Sequence, residues 1–138
     1  MNLFKIVAVI PLFVILLIFY NVMAFLGINL GFNAEILFSM PLPSGGELSL
    51  NWSSIFILLG VFTLYIEIIK STNTGTTTIV EHVLSLVVFI ACLMELMLVE
   101  FASNSTFLII TLMSLLDVAA GFNITIASAR RDFTMGGG

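Results

Sequence analysis

Long apolar runs dominate this chain, and polar residues gather in the short stretches between them. Four runs stand out, at residues 3–28, 52–70, 78–101 and 106–129. A helix needs roughly 20 mostly apolar residues to cross about 30 Å of hydrocarbon, so the pattern predicts four transmembrane helices. Barrel strands would need alternating segments of about ten residues, and such alternation is missing from these runs. One connection does alternate. In the loop 29–51, "PLPSGG" is a turn signal and "ELSLNW" reads as a strand. Two short strands, 36–40 and 47–50, are therefore expected to form a hairpin on the outer side. An isolated hairpin is marginal in water, so helix ends or a partner must support this one.

The remaining connections are short. "STNTGTTT" (71–78) joins spans two and three as an antiparallel hairpin, and "SNS" (103–105) forces spans three and four together. Pro11 is expected to kink the first span or free a carbonyl. The tail "RRDFTMGGG" reads as loose, because three glycines hold no conformation cheaply. The start of the chain has features of a signal peptide, with Lys5 ahead of an apolar core and small residues near Ala24. The apolar run continues through Phe25 and Leu26, so the segment is expected to be a retained helix. No internal repeat points to an inverted-repeat transporter.

Composition strengthens the membrane reading. Apolar residues make up 60% of the 138 positions and charged ones 9%, against about 25% charged in a soluble domain. The expected fold class is all-α: one polytopic membrane domain, 1–138. Its four basic residues set the orientation. Lys5 precedes the first span, Lys70 ends the second, and Arg130 and Arg131 end the fourth. Both termini are therefore expected in the cytoplasm, which puts every basic residue inside. Trp52, at the outer start of the second span, reads as an interfacial anchor, as do Lys70, Arg130 and Arg131 at the inner side.

Candidate chemistry rests on polar residues within the spans. Asp117 interrupts "LMSLLDVAAGFNIT", at a cost of roughly 2.5–3.5 kcal/mol on insertion scales. Thr111, Ser114, Asp117, Gly121, Thr125 and Ser128 recur at steps of three or four and so share one helix face. Small and hydroxyl residues in a row suit close helix contact, which turns Asp117 toward protein. The third span offers Glu81 or His82, Ser85, Cys92, Glu95 and Val99. Glu95 lies about 8 Å outward of its helix midpoint. Tyr20 and Asn21 share its depth and are expected to donate to it. If the two stripes face each other, Asp117 and Glu95 share a proton. Two roles fit this pair: neutral hydrogen-bonding glue within the bundle or toward a partner helix, and handling of protons or cations. The first is expected ahead of the second.

Other features carry bland readings. Glu67 and Lys70 form an i,i+3 pair expected to snorkel at the inner interface. Glu81-His82 reads as a solvated pair. One histidine and one cysteine make a zinc or haem site improbable, so no metal or cofactor is expected. Cys92 reads as a small buried side chain. Asn51-Trp-Ser and Asn104-Ser-Thr match a glycosylation acceptor pattern by coincidence. No catalytic motif is present, and neither an enzyme nor a nucleic-acid partner is expected.

"PLPSGGELSLNW", "YIEIIKSTNTGTTTIVEH" and "LLDVAAGFNITIASARRDF" together resemble a group of small four-helix inner-membrane proteins of proteobacteria. The resemblance spans most of the chain and implies a bacterial inner (plasma) membrane location. It brings no activity, ligand or catalytic residue. The expected function is that of an accessory or assembly subunit of a larger membrane complex. Its partners would be the lipid bilayer and other membrane subunits, or further copies of itself. The outer hairpin and the "RRDF" end are the expected docking surfaces. The alternative is an oligomer conducting protons or cations past Asp117 and Glu95. A membrane-perturbing, holin-like role ranks third.

Overall fold

The computed structural model describes residues 2–73 and 78–136. Helices α1 (Leu3–Val9) and α2 (Leu12–Phe25) come first, then strands β1 (Ile36–Pro41) and β2 (Glu47–Asn51). Helices α3 (Trp52–Ser71), α4 (Thr78–Leu98) and α5 (Ser105–Gly136) follow, with a short 3-10 turn at Glu100–Ala102. Three helical stretches are long and apolar enough to cross a membrane: Trp52–Ser71, Thr78–Leu98 and Ser105–Arg131. The bent pair α1 and α2 makes a fourth if it counts as one span.

The expected single helix over 3–28 is the largest departure. It is cut in two, and the pieces meet at 78°. Pro11 has no N–H to donate, and its ring disfavours helical backbone at the residue before it. Ile10 accordingly lies extended at ψ 126°. The second piece stops at Phe25, because Gly27 turns the chain with a φ of +82° that a side-chain-bearing residue rarely adopts. Two smaller boundaries also differ. The third span ends at Leu98 rather than 101, and α5 continues past 129 to Gly136. The expected loose tail is thus helical as far as Gly136, since "RRDFTM" contains no helix breaker. Gly137 and Gly138, and 74–77 of the loop 71–78, lie outside the described residues.

The hairpin forms in the expected place. Phe38 pairs with Leu50, Ser39 with Ser49 and Met40 with Leu48, and a bulge lies between Ile36 and Phe38. Directly opposed residues share a face, so Phe38, Met40, Leu48 and Leu50 form an apolar face. Ser39, Ser49 and Glu47 fall on the other. Asn51 ties the hairpin down. Its amide nitrogen donates to the carbonyls of Phe32 and Ala34, and its Oδ1 caps α3 by accepting from the Ser54 N–H at 3.0 Å. Asn104 caps α5 in the same way, through the Phe107 N–H at 2.9 Å. Asn51 and Asn104, whose triplets match the acceptor pattern, are therefore N-cap residues.

Two close contacts set the packing of α3 on α5. Ser53 and Thr106 share a buried hydrogen bond of 2.6 Å. Further along, a Cβ on Gly60 would lie 2.6 Å from Met113 Sδ. Both pairs are in step, so α3 and α5 run parallel and in direct contact, and α4 runs back antiparallel against α5. At the hairpin end the core centres on Tyr20, whose ring meets Phe56 and Phe107 edge-on at centroid distances of 5.4 and 4.9 Å. Its hydroxyl donates to the Phe101 carbonyl and accepts from the Asn104 amide at 2.7 Å. Tyr20→Phe removes both of these bonds, leaving the Asn104 amide only the Phe101 carbonyl at 3.0 Å, and is expected to cost about 1 kcal/mol, read as a lower unfolding midpoint in detergent. An unchanged midpoint would show that the hydroxyl carries no structural role.

Candidate functional site

The break at Pro11 exposes backbone groups in the middle of an apolar structure. Residue 10 ends α1 with its carbonyl free, and residue 12 begins α2 with its N–H free. Two side chains from α3 answer both. Glu67 Oε1 accepts from the Leu12 N–H at 3.0 Å, and Lys70 Nζ donates to the Ile10 carbonyl at 3.1 Å. The two side chains also pair with each other at 3.0 Å. The charges suit the helix ends, with the carboxylate at an N-terminus and the ammonium at a C-terminus.

The expected Glu67–Lys70 pair is therefore present, and it turns inward onto the helix break. The Glu67 side chain is 5% exposed, because the broken helix folds over it. Ser71 on the next turn donates back to the Glu67 carbonyl at 2.9 Å.

Asp117 comes from α5 and approaches this clamp. It is buried and lies within electrostatic reach of both Glu67 and Lys70. No hydrogen bond reaches its carboxyl among the described residues. Thr111 and Ser114 on the same face are buried too, and Gly121 lies at the α4 contact. The Thr111 hydroxyl donates to the Phe107 carbonyl, whereas Ser114 Oγ has no hydrogen-bond partner. From Thr111 to Gly121 the stripe thus packs inside one chain.

His82 is not the solvated residue expected from its position. It is buried against Gly121, with its Nε2 2.6 Å from Thr125 Oγ1 and its ring tilted over Phe122. The Thr125 hydroxyl donates to the Gly121 carbonyl at 2.9 Å. It therefore accepts from His82, which assigns the ring proton to Nε2. The missing side chain at Gly121 provides the room, since a Cβ there would sit 2.8 Å from the ring.

Glu95 belongs to a different level. His82 lies abreast of residues 121–125, so in this antiparallel pair Asp117 is level with Val88. Glu95 is seven residues further along (88 to 95), about 10 Å away. The expected proton sharing between Asp117 and Glu95 is not what the fold provides. Asn21 sits beside the Glu95 carboxyl, as expected from its depth, with Tyr20 and Cys92 nearby. Asn21 hydrogen-bonds with it, whereas Tyr20 does not. The Asn21 amide bonds to the Leu17 carbonyl at 2.9 Å, Tyr20 bonds to Phe101, and Glu95 Oε1 is left without a hydrogen-bond partner.

The four basic residues lie at one end of the bundle. Lys70 and α1, with its Lys5, meet at the clamp, and Arg130 and Arg131 extend exposed on the last turns of α5. Trp52 starts α3 at the other end, half-buried beside the hairpin. No group of three or more potential metal ligands occurs among the described residues. The clamp at Pro11 was the feature least visible in the sequence, since its members lie 55 positions apart. The proline, with an acid and a base one turn apart elsewhere, was the signal available. No family model matches the chain, and no curated protein or solved structure shows significant similarity to it.

Proposed function

We propose that this chain is a bacterial inner-membrane protein that crosses the bilayer four times and serves as an accessory subunit, docked through its outer hairpin. The observation that carries this reading is the hairpin's apolar face, where Phe38, Met40 and Leu48 are all exposed. Water penalises such a face, and a covering protein surface removes the penalty. The outward faces of the long helices are also apolar, with Phe62 and Ile66 on α3, Val83 and Val87 on α4 and Leu112 and Leu116 on α5. A bilayer accounts for those. The shared end of Lys5, Lys70, Arg130 and Arg131 supports cytoplasmic termini.

In this arrangement the break at Pro11 lies within the hydrocarbon layer. Glu67 is fifteen residues along α3 from Trp52, or about 22 Å. Backbone groups unsatisfied at that depth cost several kcal/mol each, which gives the clamp its purpose. The fourteen residues of α2 reach only about 21 Å, so α1 completes the crossing at an angle.

The test is native-level purification of the tagged chain in mild detergent. The reading predicts stoichiometric foreign subunits that are lost when Phe38 and Met40 are both changed to Ser. Recovery of the chain alone, or only with itself, overturns it.

A second reading draws on Asp117, a buried carboxyl without a hydrogen bond beside a broken helix. It makes the interior of a single chain, rather than an oligomer, a path for protons. It predicts flux in reconstituted vesicles that Asp117→Asn abolishes. Flux that is absent from the start, or that survives the change, removes it.

A further inference from the structure

Charge is distributed unevenly along the bundle. All four Lys and Arg residues and the single His82 lie toward the clamp end. The hairpin end carries Glu35, Glu47, Glu95 and Glu100 and no basic residue. Two of these acids border a cavity. Beside the hairpin a cleft of about 590 Å³ is lined by Asn29, Asn33, Glu35, Leu37 and Trp52. A second lobe of about 400 Å³ shares Gly27, Ile28, Asn29 and Asn33 with it and adds Glu100 and Asn104. The Glu35 and Glu100 carboxylates have no ion pair or hydrogen bond among the described residues.

The backbone shapes this cleft. Gly27, held at φ +82°, turns the chain out of α2 and lays residues 27–33 along one wall. The bulge between Ile36 and Phe38 takes Leu37 out of the ladder, as bulges do when they re-aim a side chain, and Leu37 lines the opening. Trp52 supplies an aromatic surface in the same cavity as the Glu35 carboxylate. An aromatic ring and a carboxylate in one cleft, with no competing cation, suit a guanidinium or ammonium group.

We infer that this acidic cleft receives an extended, Arg- or Lys-bearing segment of the partner protein. The inference rests on the accessory reading above. The combined lobes exceed the volume of one cationic head group, and the larger one reaches the hairpin at Leu37, next in sequence to Phe38 of the exposed apolar face. A segment alternating basic and apolar residues meets both surfaces at once, its cations in the cleft and its apolar side chains near Phe38 and Met40. Anionic head groups of lipids are repelled by the same carboxylates.

Trp52 is the only tryptophan, so its fluorescence reports on the cleft directly. The full chain in detergent micelles is titrated with the acetylated peptide Arg-Val-Arg-Val-Arg-Val and with its Gln-for-Arg counterpart. A saturable change with the first peptide alone is expected. Glu35→Gln or Glu100→Gln should weaken binding about tenfold, while Glu47→Gln, on the polar face of the hairpin, should leave it unchanged. Equal weakening by Glu47→Gln reduces the effect to diffuse charge and overturns the proposal. So does competition by tetramethylammonium at the peptide's own affinity, which indicates a small-cation site. A Trp52 response to phosphatidylethanolamine nanodiscs with none to peptide also overturns it, in favour of a lipid head group. The titration needs no partner. A purification that yields only the chain itself, with peptide binding intact, therefore defeats the accessory reading and not the cleft.

Discussion

Glu67→Ala is expected to be the most damaging single change in this chain, costing about 3 kcal/mol of stability. One substitution removes the acceptor for the Leu12 N–H and the counter-ion of Lys70. Losing one partner of a buried pair costs roughly 3–5 kcal/mol, and the 22% exposure of the Lys70 side chain places this case at the low end. Glu67→Gln keeps an acceptor for Leu12 while losing the charge, so it should fall between Ala and the wild type. Lys70→Met in the Glu67→Ala background should cost less than the two single losses added together, because the stranded ammonium is gone. The measurement is helix content against temperature for each variant in one detergent. The clamp has no structural weight if Glu67→Ala behaves like Glu47→Ala on the exposed hairpin.

Gly121→Val comes next. The Cβ would lie 2.8 Å from the His82 ring, which Thr125 holds on its other side. A flat ring fixed by a hydrogen bond cannot move aside cheaply, so overpacking of about 1–3 kcal/mol is expected. Gly60→Ala is the informative contrast. Its Cβ would meet Met113 Sδ at an even shorter 2.6 Å, yet a flexible thioether chain can swing away. The smaller nominal overlap should thus do the greater harm. His82→Ala should relieve Gly121→Val in the double variant, recovering much of its midpoint. A double variant worse than either single change would show that the ring and the glycine do not act on each other.

Some of this architecture was legible in the sequence. The hairpin could be read because "PLPSGG" and the alternation around it are local signals, whereas the bulge at Leu37 left no such signal. Run length alone located the long helices. What local patterns could not reveal were events settled by distant partners. Pro11 announced a disturbance, but whether it produced a bend or a full break depended on Glu67 and Lys70, which can satisfy the freed groups. His82 looked interfacial by position, and only Gly121, far along the chain, makes a pocket for it. The stripe through Asp117 was visible at helical spacing, whereas its level relative to Glu95 depended on how α4 and α5 slide past each other. Asn51 and Asn104 matched an acceptor pattern because an Asn followed by a hydroxyl residue also suits a helix start.

The clamp and the hairpin divide the molecule's work. One end uses charge to hold a broken helix together among apolar helices. The other end presents an apolar face and an acidic cleft that none of the described residues covers. The first arrangement is internal, and the second is the surface on which the proposed partner would dock.

The most direct test places a benzophenone amino acid at Phe38 in the chain expressed at its native level, with a second placement at Phe62 on the outward face of α3. Irradiation of intact cells should then give one discrete adduct with a foreign protein from position 38, and none from position 62. Adducts from position 38 that contain only lipid, or only a second copy of this chain, would contradict the docking of a partner on the hairpin.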